Sequence, residues 1–126
     1  MAPRRLSDLL ADLNEAVDAA AEIVGCGLDR WETERPLRLA GEAVIGRIGD
    51  VASKLPEEVI RETPDVPWDE VRGMRIVVDH VYHAVDYRIV WQTLHDDVPK
   101  LGQAMERWRS QHPEIGIETE GPGLGL

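Results

Sequence analysis

Residues 87–108 read YRIVWQTLHDDVPKLGQAMERW, and within them Tyr87, Trp91, Leu94, Val98, Leu101, Met105 and Trp108 recur at alternating steps of four and three. An apolar residue twice in every seven is the pattern of a helix that lies nearly parallel to its neighbours in a bundle. A half-buried strand would need strict alternation instead, and no stretch of the chain shows it. Asp86 stands where an N-terminal cap is wanted, because its short side chain can accept from the first unpaired backbone amides. Pro99 brings no backbone N–H and crowds the carbonyl four residues earlier, so a kink or split is expected near Asp97.

Working outward, the same kind of signal recurs upstream. Leu6, Leu9, Leu10, Leu13, Val17, Ala20, Ala21 and Val24 predict a first helix over Leu6–Val24, closed by Gly25 and Gly27. Residues 25–33 read as a connection. A second helix is expected to start between Thr33 and Pro36, presenting Leu37, Ala40, Val44, Ile48, Val51, Ala52 and Leu55 on one face. Gly41, Gly46 and Gly49 lie inside it, each lowering helix stability by about 1 kcal/mol relative to alanine, which is explained if another helix approaches closely, with a hinge as the alternative. Pro56-Glu57-Glu58 starts a short helix that must end by Thr63-Pro64, since the residue before proline avoids the helical region. Another helix runs from Trp68 towards His83. From Gln111 onward, glycine, proline and acid without periodicity predict a disordered tail, so the domain is expected over 1–110 and the tail over 111–126. The fold class is therefore all-α, an up-and-down bundle of four main helices plus a short extra one.

Composition narrows the function. The 126 residues suffice for one domain, and 43% hydrophobic with 30% charged residues is too apolar for a wholly disordered chain. The single Cys26 excludes an intramolecular disulfide and fits a reducing compartment. No apolar run reaches the roughly 18 residues of a membrane span, and the N-terminus lacks the apolar core of a signal peptide, so a cytoplasmic protein without a membrane is expected. A net charge of −10 argues against a nonspecific nucleic-acid binder, because such proteins bind by neutralising phosphates. It leaves room for a local basic site around Arg72, Arg75 and Arg88.

The chemistry is concentrated in residues 67–83, PWDEVRGMRIVVDHVYH. At about 100° per residue, Val71, Met74, Val77, Val78 and Val81 fall in one arc of roughly 120°. Arg72, Arg75, Asp79, His80, Tyr82 and His83 share the opposite arc of roughly 160°, with Ile76 inside it. An ordinary solvated face is the plain alternative, but it does not account for clustered cations on so acidic a chain. His80 and His83 have a spacing that can hold a metal, yet no third ligand accompanies them, and no metal is expected. Cys26 has no neighbouring base to activate it. Gly41 and Gly49 lack the Lys-Ser/Thr that follows a phosphate loop. RNA cleavage without a metal needs a group that moves the 2′-hydroxyl proton near neutral pH, which histidine provides, and a fixed cation for charge developing on phosphorus oxygens, which arginine provides. His80 and Arg75 are those residue types. Lying roughly 140° apart on one helix, they flank a groove more easily than they touch, and two copies related by a two-fold axis would bring them together.

These residues resemble a known family. Arg75-Ile-Val-Val-Asp-His80-Val-Tyr82 fits the R-x4-H-x-Y motif of HepT-type toxins of the HEPN ribonuclease superfamily. Pro67-Trp68 with Gly73-Met74-Arg75, Val85-Asp86 with Ile89-Val90-Trp91, Asp97-Val98-Pro99-Lys100-Leu101, and Ile48-Gly49-Asp50-Val51-Ala52 with Leu55-Pro56 resemble its other segments in the same order. The resemblance covers roughly residues 5–108. It implies an all-helical homodimer that acts as a metal-independent, cofactor-free endoribonuclease toxin on RNA. In that reading Arg75 and His80 are catalytic, with Arg72, Asp79 and His83 supporting RNA binding. It also implies a neutralising partner, a nucleotidyltransferase antitoxin of the MNT type, which transfers AMP to the motif tyrosine, here Tyr82. One position departs from the pattern: the family commonly has asparagine after the motif arginine, and this chain has Ile76. That departure keeps a second expectation open, a catalytically weak or inactive helical dimer that serves as binding partner and AMP acceptor of the nucleotidyltransferase.

Overall fold

A computed structural model describes residues 5–80 and 85–115, and the side chains of all of these except 75–80. Among the described residues every regular element is helical: α1 (Leu6–Gly25), α2 (Leu28–Thr33), α3 (Arg35–Lys54), α4 (Glu57–Glu62), α5 (Trp68–His80), α6 (Tyr87–Gln92) and α7 (Val98–Ser110). Helix α3 is the central rod, packed most extensively against α5 and then against α1. The all-α bundle is as the periodicity requires.

The stretch 87–108 forms one continuous helical rod. Leu94, Val98, Leu101, Met105 and Trp108 are buried, and Tyr87 and Trp91 pack against the core from its edge. Asp86 caps it as expected, its Oδ1 accepting from the Arg88 amide at 3.0 Å. The expected break near Asp97 takes a milder form. Residues Thr93–Asp97 make a π-helical turn in which the Val98 amide donates to the Thr93 carbonyl. Proline 99 cannot donate to a carbonyl in the preceding turn, and widening that turn accommodates the missing bond without ending the helix.

Three expectations need correction. Residues 25–33 are more than a connection, because Leu28–Thr33 is a helix in its own right. A six-residue helix is too short to display a period; its signal is one residue, Trp31, which is 2% exposed. Gly27 separates it from α1 with φ of +94°, a conformation in which glycine avoids the Cβ clash. The buried face of α1 is also rotated from the one expected: Ala16 and Ile23 are inside while Ala21 is exposed. On α3, likewise, Ile45 is buried and Ala40 exposed. Of the expected tail over 111–126, residues 116–126 lie outside the described residues, and within 111–115 two side chains touch the bundle. The His112 ring stacks on Trp108 at 4.0 Å and 16°, and Ile115 lies against the core.

The glycines of α3 do what close approach demands at one position. A Cβ on Gly41 would stand 2.5 Å from Trp31 Cη2 and 2.7 Å from Trp31 Cζ3, so the indole lies directly on the α3 backbone. The junction between α4 and α5 is fixed by a buried hydroxyl. Thr63 Oγ1 donates to the Val59 carbonyl at 2.6 Å and accepts from Trp68 Nε1 at 2.9 Å. Thr63 and Trp68 are both buried. Thr63→Val is therefore expected to leave a buried indole N–H without a partner and to lower stability by about 1–3 kcal/mol. Thr63→Ser should retain most of it, and urea midpoints of the two variants are the check.

Candidate functional site

The motif helix α5 owes its position to its first turns. Trp68 and Val71 are buried, Met74 packs against the core, and Asp69 and Glu70 sit at the positive end of the helix. Arg72, assigned from the sequence to the polar arc, is half-buried and turned towards α3, its Nε donating to the Ala52 carbonyl at 3.4 Å. That contact lies near the C-terminal end of α3, where a cation complements the helix dipole. Arg72 thus braces α5 against α3.

Two anchor points give the direction of α5. Arg72 meets Ala52, while Tyr87, which follows α5, donates its hydroxyl proton to Glu42 Oε2 at 3.0 Å. Helix α5 therefore runs back along α3. From Arg72 to His80 the helix rises about 12 Å, which brings its last turn level with the middle of α3, near Val44. Arg75, Ile76, Asp79 and His80 lie in those final turns, with Arg75 and His80 about 7.5 Å apart along the axis. The structure thus holds these four on one unbroken helix. Tyr82 and His83, also assigned from the sequence, lie outside the described residues.

Beyond α5, a knot of polar contacts ties α2, α3 and α6 together. Trp31 Nε1 donates to the Tyr87 carbonyl at 3.1 Å, and Arg38 Nη1 donates to the Trp31 and Glu32 carbonyls at 2.9 Å each. The Arg38 guanidinium also lies over the Tyr87 ring, 5.4 Å from its centroid. Burial pushes the Tyr87 phenol above its ordinary range, and the bond to Glu42 adds to the shift, so Tyr87 is a proton donor at neutral pH. Sequence reasoning missed this corner because its members come from three separate helices; a tryptophan amid an apparent loop was its one local sign.

The other candidates settle simply. The Cys26 thiol donates to the Glu22 carbonyl at 3.4 Å, an i to i−4 contact within the end of α1. Histidines outside the motif have structural partners: His95 meets Asp96 at 2.7 Å, and His112 meets the Trp108 carbonyl at 2.8 Å. Among the described residues no helix is long and apolar enough to cross a membrane.

The family model described as ribonuclease HepT-like matches residues 13–108. A Thermococcus cleftensis protein named "Probable ribonuclease HepT" is 30% identical over 108 residues, covering 84% of this chain and 97% of its own length. A Methanocaldococcus jannaschii protein named "Putative RNase MJ1380" is 26% identical over 101 residues, covering 80% of this chain and 90% of its own. No solved structure matches the chain. The family model spans the helical bundle from α1 to Trp108, motif helix included, and on that match the chain belongs to the HepT-like ribonuclease family of HEPN type.

Proposed function

We propose that this protein is a metal-independent endoribonuclease toxin that cleaves RNA at a site composed from two copies of the motif helix. The observation that carries the reading is the R-x4-H-x-Y motif at Arg75, His80 and Tyr82, whose Arg75 and His80 lie on a helix braced against α3, in a chain of a ribonuclease family. In the reaction His80 takes the proton of a ribose 2′-hydroxyl, and the 2′-oxygen attacks the adjacent phosphorus. The bond to the 5′-oxygen breaks, that oxygen acquires a proton, and a 2′,3′-cyclic phosphate remains. Arg75 stabilises the negative charge gathering on the non-bridging oxygens. Asp79 and His83 support RNA binding beside them. A homodimer supplies each site with cations from both helices, which offsets the chain's overall acidity.

The regulator proposed is a nucleotidyltransferase antitoxin. The Tyr82 phenol oxygen attacks the α-phosphate of a nucleoside triphosphate held by that partner, pyrophosphate leaves, and AMP stays on the tyrosine. The adduct adds bulk and negative charge beside the motif, where it opposes an incoming phosphate backbone. Ile76 favours a second reading, in which the dimer binds the transferase and accepts AMP without cutting RNA, since isoleucine offers no amide to a phosphate.

Incubation of the purified protein with RNA in EDTA separates the two. Fragments ending in cyclic phosphate, together with growth arrest on expression, are the expected result. Intact RNA at high protein concentration with no growth defect overturns the toxin reading. An AMP-sized mass gain on Tyr82 after co-expression with a transferase then supports the second.

A further inference from the structure

We propose that the corner between α2, α3 and α6 is a stacking subsite for an unpaired base of the RNA substrate, an inference that rests on the ribonuclease reading above. The corner holds an open cavity of about 460 Å³ whose lining includes Trp31, Tyr87, Trp91, Arg38, Arg88 and Gln92. That volume admits a base with its ribose. Trp31, itself buried, meets Tyr87 edge-on at 6.3 Å and 74° and Trp91 at 5.5 Å and 47°, so it backs the Trp91 ring that is left to take a base. Trp91 remains half-buried and borders the cavity. Aromatic rings beside arginines are the combination that holds single-stranded nucleic acid, because every base has a face to stack and every nucleotide carries a phosphate.

Charge supports the same occupant. On a chain of net charge −10, two arginines, Arg38 and Arg88, border this cavity against one acid, Glu32, and Arg35 lies close enough to bias the Tyr87 phenol. The Arg88 side chain is 89% exposed, and its ion pair with Asp86 is long at 3.8 Å, so it can turn to a phosphate. Glu42 is engaged by the Tyr87 hydroxyl, which partly offsets its repulsion of a polyanion. The Gln92 amide can donate to or accept from a base edge.

Position completes the case. Helix α6 starts seven residues after His80, which limits the gap to about 25 Å even for extended chain. The antiparallel course of α5 along α3 brings the last turn of the motif helix level with the middle of α3, near Val44 and about 9 Å along the axis from Arg38. The backing of Trp91 is also pre-formed: Trp31 is clamped on Gly41 and bonded to the Tyr87 carbonyl, so little ordering accompanies binding.

The test is binding of a fluorescent 2′-O-methyl oligonucleotide, which cannot be cut, to the full chain and to Trp91→Leu and Arg88→Gln. Quenching of tryptophan emission and about tenfold weaker binding in each variant are expected. An abasic oligonucleotide should be insensitive to Trp91→Leu. Arg88→Gln changes an exposed side chain, so it keeps the test decisive should Trp91→Leu fold poorly. Wild-type cleavage of ordinary RNA with KM unchanged in both variants overturns the subsite and leaves the ribonuclease reading standing. Variant-sensitive binding by a protein that cuts no RNA does the reverse. A change in oligomeric mass with RNA binding intact assigns the corner to a protein interface and also overturns the proposal.

Discussion

Alanine at position 80 is expected to reduce RNA cleavage by about 10²–10⁴-fold, the usual contribution of one positioned acid–base group. The effect should fall on kcat, because the imidazole acts on the proton moving in the transition state and adds little to ground-state binding. Arg75→Lys should also lose much of the activity although the charge is kept, since an ammonium cannot span two phosphoryl oxygens as the planar guanidinium does. Gel assays with end-labelled RNA in EDTA measure both, and circular dichroism checks that the helices persist. His80→Ala should still bind the 2′-O-methyl oligonucleotide, which separates loss of chemistry from loss of substrate. A variant that cuts as fast as the parent would remove His80 from the mechanism.

The second large effect concerns Trp31. Trp31→Ala is expected to cost about 3–5 kcal/mol of stability, the range for removing a buried tryptophan. The residue is 2% exposed, packs on Tyr87 and Trp91, and donates to the Tyr87 carbonyl. Gly41→Ala approaches the same contact from the other side. Its new Cβ would lie 2.5 Å from Trp31 Cη2 and 3.1 Å from Leu94 Cδ1, both on side chains with little room to move. Overpacking of this kind costs about 1–3 kcal/mol and should outweigh the alanine's helical preference. Gly73→Ala is the control: a Cβ there meets nothing within 4 Å, so helix propensity alone should act and stability should rise. Urea unfolding reads all three, and a Trp31→Ala midpoint near that of the parent would show that the α2 corner contributes little to the fold.

The long periodic elements were legible because burial on one face leaves a repeat in the sequence. The seven apolar residues from Tyr87 to Trp108 all pack where the heptad puts them, and α1 and α3 differ from expectation by a modest rotation. Helix α2 was illegible for a physical reason: six residues held by one tryptophan carry no period, and the neighbour that seats Trp31 is a glycine in another helix. The candidate site divides in the same way. Arg75, His80 and Tyr82 could be named as candidates because they are local in sequence and fit a motif. The orientation of Arg72 was not, since it is decided by a carbonyl 20 residues away, at Ala52. The aromatic corner depends on contacts such as Trp31 to Tyr87, 56 residues apart, which leave no local trace.

The π-helical turn at Thr93–Asp97 works as a phase adjuster. A turn that closes on the fifth residue rather than the fourth holds an extra residue, so everything beyond it is swung around the axis relative to an uninterrupted α-helix. One apolar stripe can then serve two audiences: before the turn, Tyr87 and Trp91 face Trp31, and after it α7 faces α1 while Trp108 reaches Glu62 on α4. The bearing of the aromatic corner and the seating of α7 in the core are thereby set by the same five residues, so a change that relaxed this turn would re-aim both at once.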